Sequence, residues 1–217
     1  MSYLRFALPG AGLILGVLLT SAVAQTVPGA EAPKAPATPQ LQSRPAVAPN
    51  PNAVDEDFIH QAFGDGVTLM PNSKPYIRDI DGDGVDDLVI AAICRKPLID
   101  AGEFGYRVID PYYAFYGYGD PTLTNSFGSE DLRIKNQVIL IIHGTGEQAW
   151  RSTTPKAKFV VINMPFKEIS VKRLQVKKKQ MNAIFAVEDN STAVDSFIFW
   201  DGKQYKYQPL GVSGAND

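Results

Sequence analysis

A run of nine residues, from Asp79 to Asp87, carries carboxylates at a spacing that suits the binding of a hard cation. Counted from Asp79, aspartates stand at positions 1, 3, 5 and 9. In proteins Ca²⁺ takes about 6–8 oxygen ligands, which a short curved loop supplies from alternate side chains and one main-chain carbonyl. The expected ligands are the carboxylates of Asp79, Asp81, Asp83 and Asp87, together with the carbonyl of Val85.

Two glycines allow this segment to curve around an ion. Gly84 stands at position 6, where the turn needs a positive φ, and Gly82 removes a side chain from a crowded bend. Asp86, at position 8, is expected to face water. A polar hairpin turn with unrelated acids is the alternative interpretation. Four close carboxylates without a cation would repel one another, however, which favours the metal site.

The residues on either side of the loop favour strands rather than the helices of an EF-hand. An EF-hand has a bidentate Glu at position 12 of its loop, whereas this sequence has Ile90 there, inside the apolar run 88–94. Residues 75–78, before the loop, are also of an extended type. The motif Asp-Ile-Asp-Gly-Asp-Gly-Val-Asp-Asp-Leu-Val-Ile closely resembles the core of the FG-GAP or VCBS-type repeats found in integrin α-like propellers and bacterial surface proteins.

The resemblance covers residues 75–94, with a looser similarity in the hairpin sequence 197–207. It implies a strand–loop–strand calcium site. A full propeller is not expected, because the chain has one acidic loop, no internal repeat and too few residues for a complete set of four-stranded blades. We expect a mainly β fold, with a single antiparallel β domain, either a sandwich or a propeller-blade-like sheet, and one short N-terminal helix at 55–63.

The chain is expected to consist of four segments. Residues 1–24 have the pattern of an export signal, with an apolar run that ends in Ala22-Val23-Ala24. A signal of this type is removed on export and leaves no membrane span, although a transmembrane anchor is the alternative. The remaining segments are a disordered linker rich in Pro and Ala at 25–54, the β domain at 55–211 and a flexible tail at 212–217. The mature protein is therefore expected outside the cytoplasm, either periplasmic or secreted.

Composition excludes some classes of partner and site. The 217-residue chain is 45% hydrophobic and 20% charged, with a formal net charge of −2, so no nucleic acid partner is indicated. Cys94 is the only cysteine in the sequence, which rules out an internal disulfide. We expect it to be a small buried side chain.

Short runs of β-branched and aromatic residues predict the strands of the β domain. The last two strands flank Asp201-Gly202, which is a strong signal for a hairpin turn. The expected strands are 74–78, 87–94, 106–109, 112–118, 137–143, 158–163, 168–174, 181–188, 196–200 and 204–208.

A tyrosine-rich segment is the candidate binding surface. Side chains alternate along a strand, so one face of the expected strand 112–118 would pack in the core and the other could bind a protein or glycan at the cell envelope. Packing on both faces is the alternative. The candidate residues are Tyr112, Tyr113, Phe115, Tyr116 and Tyr118.

The sequence contains no complete catalytic set. The strand end His143-Gly144 resembles part of an α/β-hydrolase, but the Gly-x-Ser-x-Gly elbow and a histidine near the C-terminus are missing, and His143 is expected to be a polar residue at a strand end. The expected function is a non-enzymatic binding or structural module stabilised by Ca²⁺. The alternative is an extracytoplasmic hydrolase that acts on wall or polysaccharide through Asp110 or Glu147.

Overall fold

The strands of the protein form two sheets, and the predicted mainly β domain is confirmed. The computed structural model describes residues 53–118, 135–176, 179–188 and 191–210. The expected export signal, nearly all of the expected linker and the C-terminal tail lie outside these ranges.

The larger sheet has six strands, and its two central strands are buried on both faces. The strand order is β1-β3-β5-β6-β4, and β2 pairs with β3 beside β1. Every pairing is antiparallel except that of β4 with β6, a parallel pair that was not expected from the sequence. The strands are β1 (Val67–Leu69), β2 (Tyr76–Arg78), β3 (Asp87–Cys94), β4 (Arg107–Ile109), β5 (Gln137–His143) and β6 (Ala157–Val161).

The smaller sheet is an antiparallel meander of four strands in the order β10-β9-β8-β7. Its final turn is the predicted hairpin, in which Gly202 has φ 101° and Asp201 N–H donates to the carbonyl of Gln204 at 3.0 Å. The strands are β7 (Glu168–Val176), β8 (Lys179–Val187), β9 (Ser196–Trp200) and β10 (Tyr205–Pro209).

Alternate side chains of the larger sheet enter two different cores. On one face, Val89, Ile141 and Phe159 lie in one cross-strand row and share a cluster with Ile184 and Ile198 of the smaller sheet. The opposite face packs in a second cluster, whose members include Ile59, Phe63, Leu88, Leu140 and Val160. Full burial of such a side chain contributes about 1.5–3 kcal/mol. The larger sheet is therefore covered on both sides, which explains the continuous apolar sequence of β3 and β5.

The predicted N-terminal helix is present as α1 (Glu56–Phe63), which buries Ile59 and Phe63. Asp55 caps it by accepting the N–H of Phe58 at 3.0 Å. A second helix that was not predicted, α2 (Pro97–Phe104), has proline in its first turn and ends at Gly105 with φ 64°. None of the described helices is long and apolar enough to cross a membrane.

The prediction of a strand at 112–118 is wrong, because α3 (Pro111–Phe115) is a helix. Asp110 caps it by accepting the N–H of Tyr113 at 2.9 Å. Pro111 has its φ already fixed for the first helical position. These two start signals outweigh the β propensity of the aromatic residues that follow.

Candidate metal centre

The acidic loop joins β2 to β3, and the predicted strand–loop–strand arrangement is confirmed. Arg78 and Asp87 pair across the base of this hairpin. Gly82 and Gly84 have φ values of 81° and 87°, in the left-handed region that favours glycine. The loop therefore curls in the way that its glycine positions predicted.

Asp79 organises the loop from its first position. Its Oδ1 accepts the N–H groups of Gly82 at 2.7 Å and Asp83 at 3.2 Å, and its Oδ2 accepts the N–H of Gly84 at 2.9 Å. A carboxylate has about four lone-pair sites. The three hydrogen bonds fix the orientation of Asp79 and leave it about one site for a cation.

Three carboxylates of the loop converge. Asp79, Asp81 and Asp83 each place one oxygen within 4.8 Å of the others. Oxygens around Ca²⁺ lie at about 2.3–2.6 Å from the ion, so ligands on opposite sides are about 5 Å apart. The spacing of this group therefore fits a metal ion. Val85, half-buried, donates its N–H to Asp83 Oδ1 at 2.9 Å.

Asp87 lies on the inner side of the loop and is fully buried. Its Oδ2 accepts the N–H of Ile80 at 2.7 Å and of Asp81 at 3.2 Å, and its Oδ1 accepts the N–H of Gly144 at 2.7 Å. Burial raises the pKa of Asp87 to about 6, although these hydrogen bonds work to lower it. The structure groups Asp87 with Asp81 and His143 as a second set that could hold a metal ion.

His143 supports the loop from inside the core, a role that its sequence position did not predict. It ends β5 as predicted but is 1% exposed, with Nδ1 3.3 Å from Asp81 Oδ2 and Nε2 2.7 Å from the hydroxyl of Tyr205. Burial, which outweighs the attraction of the Asp81 carboxylate, lowers the pKa of His143 to about 4. A neutral ring satisfies both contacts when Nδ1 donates to Asp81 and Nε2 accepts from Tyr205.

Gly144 allows the chain after β5 to press against the loop. A Cβ at this position would lie 2.3 Å from the carbonyl oxygen of Asp86, a backbone atom that cannot rotate away. Trp150 N–H also donates to that oxygen at 3.1 Å. The side chain of Asp86 is exposed, as predicted. The loop is thus held by its backbone on one side. Of its convergent carboxylates, Asp83 keeps 30% of its side chain exposed, whereas the side chain of Asp81 is 1% exposed.

Lys156 is a second residue that sequence reasoning missed. Its Nζ lies 2.7 Å from Asp81 Oδ2 and 2.7 Å from Asp83 Oδ2. Burial works to raise the pKa of Asp83, but the hydrogen bonds from Lys156 and from the N–H of Val85 outweigh it, so the pKa is lowered. Lys156 directly precedes β6, 75 positions after Asp81.

The smaller sheet also contacts the loop. Asn182 Nδ2 donates to the carbonyl of Asp79 at 2.7 Å. The loop and the smaller sheet line an open groove of about 580 Å³, to which Arg173 and Trp200 contribute. The acidic loop therefore lies between the two sheets, and an ion bound there would act on both.

The tyrosine-rich segment is an aromatic helix rather than a strand with two faces. Tyr112 and Tyr113 are half-buried, whereas Phe115 and Tyr116 are each 48% exposed and Tyr118 is 79% exposed. The exposed part therefore gathers at the end of α3. Ring centroids of Tyr112, Phe115 and Tyr116 lie 5.1, 5.4 and 6.2 Å from that of Tyr207.

The two carboxylates considered for catalysis, Asp110 and Glu147, lie in different environments. Asp110 is 2% exposed and accepts from Tyr113 N–H and from Asn163 Nδ2, so both of its oxygens are engaged. Burial raises its pKa. Glu147 is exposed on a turn.

Cys94 is buried as predicted, and burial raises the pKa of its thiol to about 11.

Comparison of the chain with models of protein families, with curated proteins and with solved structures found no match in any of the three.

Proposed function

We propose that the protein is a calcium-stabilised module of the cell envelope that binds or supports another macromolecule and is not an enzyme. One observation carries this proposal: Asp79, Asp81 and Asp83 bring three carboxylate oxygens within 4.8 Å of one another in a loop between two strands. The motif's resemblance to FG-GAP and VCBS-type repeats supports calcium. The export pattern of residues 1–24 supports a place outside the cytoplasm.

Calcium suits the outer carboxylate group better than other common metals. The group offers only oxygen ligands, which hard cations prefer, whereas Zn²⁺ favours nitrogen and sulfur. Mg²⁺ demands near-octahedral geometry and keeps several waters, but Ca²⁺ accepts irregular shells of carboxylates and carbonyls. Among the described residues, the nitrogen ligand grouped with these acids is that of His143, whose Nδ1 lies 3.3 Å from Asp81 Oδ2 inside the core and donates to that carboxylate in the neutral ring.

A bound ion would act as a structural link. It would offset the repulsion between the aspartates and fix a loop that contacts both sheets, through Asn182 on one side and Gly144 on the other. A ligand that binds only the folded state stabilises it by about 2.7 kcal/mol at a hundred times its dissociation constant. We expect a clear rise in melting temperature with Ca²⁺.

Thermal unfolding of the full chain with Ca²⁺ and with a chelator tests the proposal. Asp83→Ala should abolish the calcium-dependent rise, because it removes a carboxylate of the convergent group. Asp86→Ala, the same truncation in the same loop, should keep it, because Asp86 is exposed and outside that group. An unchanged melting temperature, with no heat of Ca²⁺ binding by calorimetry, would overturn the proposal.

The exposed aromatic residues at the end of α3 are proposed as the surface that meets the partner. Phe115, Tyr116 and Tyr118 present ring area to solvent, and the ring centroids of Phe115 and Tyr116 lie 5.1 Å apart. Aromatic rings of this kind pack against sugars and protein side chains. The alternative of a hydrolase is less well supported, because Asp110 serves as a helix cap. Loss of binding to envelope glycans or proteins on Tyr116→Ala and Tyr118→Ala, with unchanged melting temperature, is the expected result.

A further inference from the structure

We infer that Lys156 is a built-in competitor of the calcium ion: its ammonium group holds the loop when the metal is absent and must leave before Ca²⁺ can bind. The inference rests on the proposed calcium function of the loop, and it adds a regulation of that site. Lys156 would set the calcium concentration that the loop requires.

The contacts of Lys156 carry the inference. Its ammonium bridges Asp81 and Asp83 with two contacts of 2.7 Å, and both of these aspartates belong to the group that converges on the candidate ion position. An ammonium group supplies one positive charge and three N–H donors. It therefore neutralises part of the carboxylate charge that a metal ion would neutralise.

The ammonium group of Lys156 can leave the loop while its backbone stays in place. Its main-chain N–H donates to the carbonyl of His143 at 3.0 Å, which fixes its backbone beside β5. Its side chain is 49% exposed, however, whereas the side chain of Asp81 is 1% exposed. A long flexible lysine with one end anchored and the other half in solvent can release its ammonium without disturbing the sheet.

The ammonium and the metal exclude each other for an electrostatic reason. Both would use oxygens of Asp81 and Asp83, and a divalent ion beside a charged lysine repels it at short range. Lysine has an ordinary pKa of about 10.4, so the amine is charged at neutral pH. Binding of Ca²⁺ thus carries the cost of breaking two charged hydrogen bonds.

Calorimetric titration of Ca²⁺ into wild type, Lys156→Met and Lys203→Met tests the inference. Lys156→Met should bind about tenfold more tightly, since two charged hydrogen bonds from a half-exposed ammonium together correspond to roughly that factor. Lys203→Met is the matched control. It removes the same charge from an exposed lysine beside Asp201 and Gly202, which line the same groove as the loop, and it should change affinity by less than about twofold because charges exposed to solvent are screened.

The outcomes separate the two proposals. Equal affinity of wild type and Lys156→Met, or weaker binding by the variant, overturns the role of Lys156 and leaves the calcium site standing. Absence of binding to both proteins overturns the calcium site, and the role of Lys156 with it. Binding to Lys156→Met alone supports the competition.

Amine labelling of the wild-type chain gives a second readout that does not depend on how well a variant folds. A small acylating reagent, with modification followed by mass spectrometry, should modify Lys156 slowly in chelator and faster in Ca²⁺. Lys203 should react at the same rate in both conditions. A rate for Lys156 that stays constant while Ca²⁺ binds would overturn the inference.

Discussion

The acidic loop and the aromatic segment begin in the same way and end as different structures. Each follows a strand of the larger sheet and opens with an aspartate whose Oδ1 accepts the N–H three residues later, Gly82 for Asp79 and Tyr113 for Asp110. After Asp79, two glycines with positive φ keep the chain curling. After Asp110, Pro111 has φ set for a helix, and α3 follows.

The difference decides what each carboxylate can do. The glycines of the loop turn the carboxylates of Asp81 and Asp83 towards that of Asp79, so the three converge and can hold a cation. Asp110 is alone at the start of a helix, where it caps the backbone N–H of Tyr113 and is buried. The residues that follow an aspartate at a turn thus decide whether it can serve as a metal ligand or as a helix cap.

The largest effect is expected where the loop meets the rest of the domain. Gly144→Ala should lower the free energy of unfolding by about 3 kcal/mol, because the new Cβ would lie 2.3 Å from the Asp86 carbonyl oxygen. It should also weaken Ca²⁺ binding by displacing the N–H that Asp87 accepts. Urea unfolding in chelator and calorimetry with Ca²⁺ measure the two effects.

Gly102→Ala is the matched control for this change. Gly102 lies in α2, and a Cβ there would meet nothing within 4 Å. Since alanine is the better helix former, this variant should be up to about 1 kcal/mol more stable than wild type. Equal stability of the two alanine variants would show that the close contact at Gly144 does not hold the loop. The loop would then depend, like α3, on contacts between residues near in sequence.

The sequence predicted the local half of the candidate site and missed the half that tertiary structure brings to it. Aspartate and glycine spacing was enough for the loop between β2 and β3, because the hydrogen bonds within the loop join residues no more than 7 positions apart. His143 reaches Asp81 through the pairing of β5 with β3, and Lys156 through the further pairing of β6 with β5. That register depends on the whole sheet and has no signal near Asp81. The buried end of an apolar strand at His143-Gly144 was the one available hint.

The wrong strand at 112–118 had a local signal that aromatic composition concealed. Asp110-Pro111 is a pattern typical of a helix start, but the aromatic residues that follow have high β propensity. The parallel pairing of β4 with β6 was beyond prediction for another reason. The two strands are short and far apart in the chain, so their order in the sheet is decided by packing rather than by turns.

A pair of truncations tests whether the two opening aspartates differ as proposed. Asp110→Ala should cost about 1–2 kcal/mol through loss of the helix cap, by the same amount with Ca²⁺ and with chelator. Asp79→Ala should cost more with Ca²⁺ than with chelator, because it removes a ligand as well as three hydrogen bonds to the loop backbone. Chemical unfolding in both conditions gives the comparison. A calcium-dependent cost for Asp110→Ala would contradict it.

The smallest expected effect is a difference in pH dependence between Asp110 and Asp83, measured in chelator. Burial raises the pKa of folded Asp110 above its unfolded value of about 3.9. Its contribution to stability is therefore complete below the unfolded pKa and is lost as pH rises through the folded pKa. For Asp83, despite some burial, the contacts with Lys156 and Val85 lower the folded pKa. Its contribution is present above the unfolded pKa and is lost as pH falls through the folded pKa.

Each aspartate is compared with its own asparagine variant, which does not titrate. The free energy of unfolding of wild type minus that of Asp110→Asn should fall as pH rises from acid towards neutral, whereas the difference from Asp83→Asn should grow. Lys156→Met should flatten the second slope, because the hydrogen bond from Lys156 is the largest of the contacts that hold Asp83 ionised. Slopes of the same sign would mean that burial decides the pKa of both carboxylates. The contact between the Lys156 ammonium and Asp83 would then be too weak in solution to make the proposed metal ligand titrate differently from the helix cap.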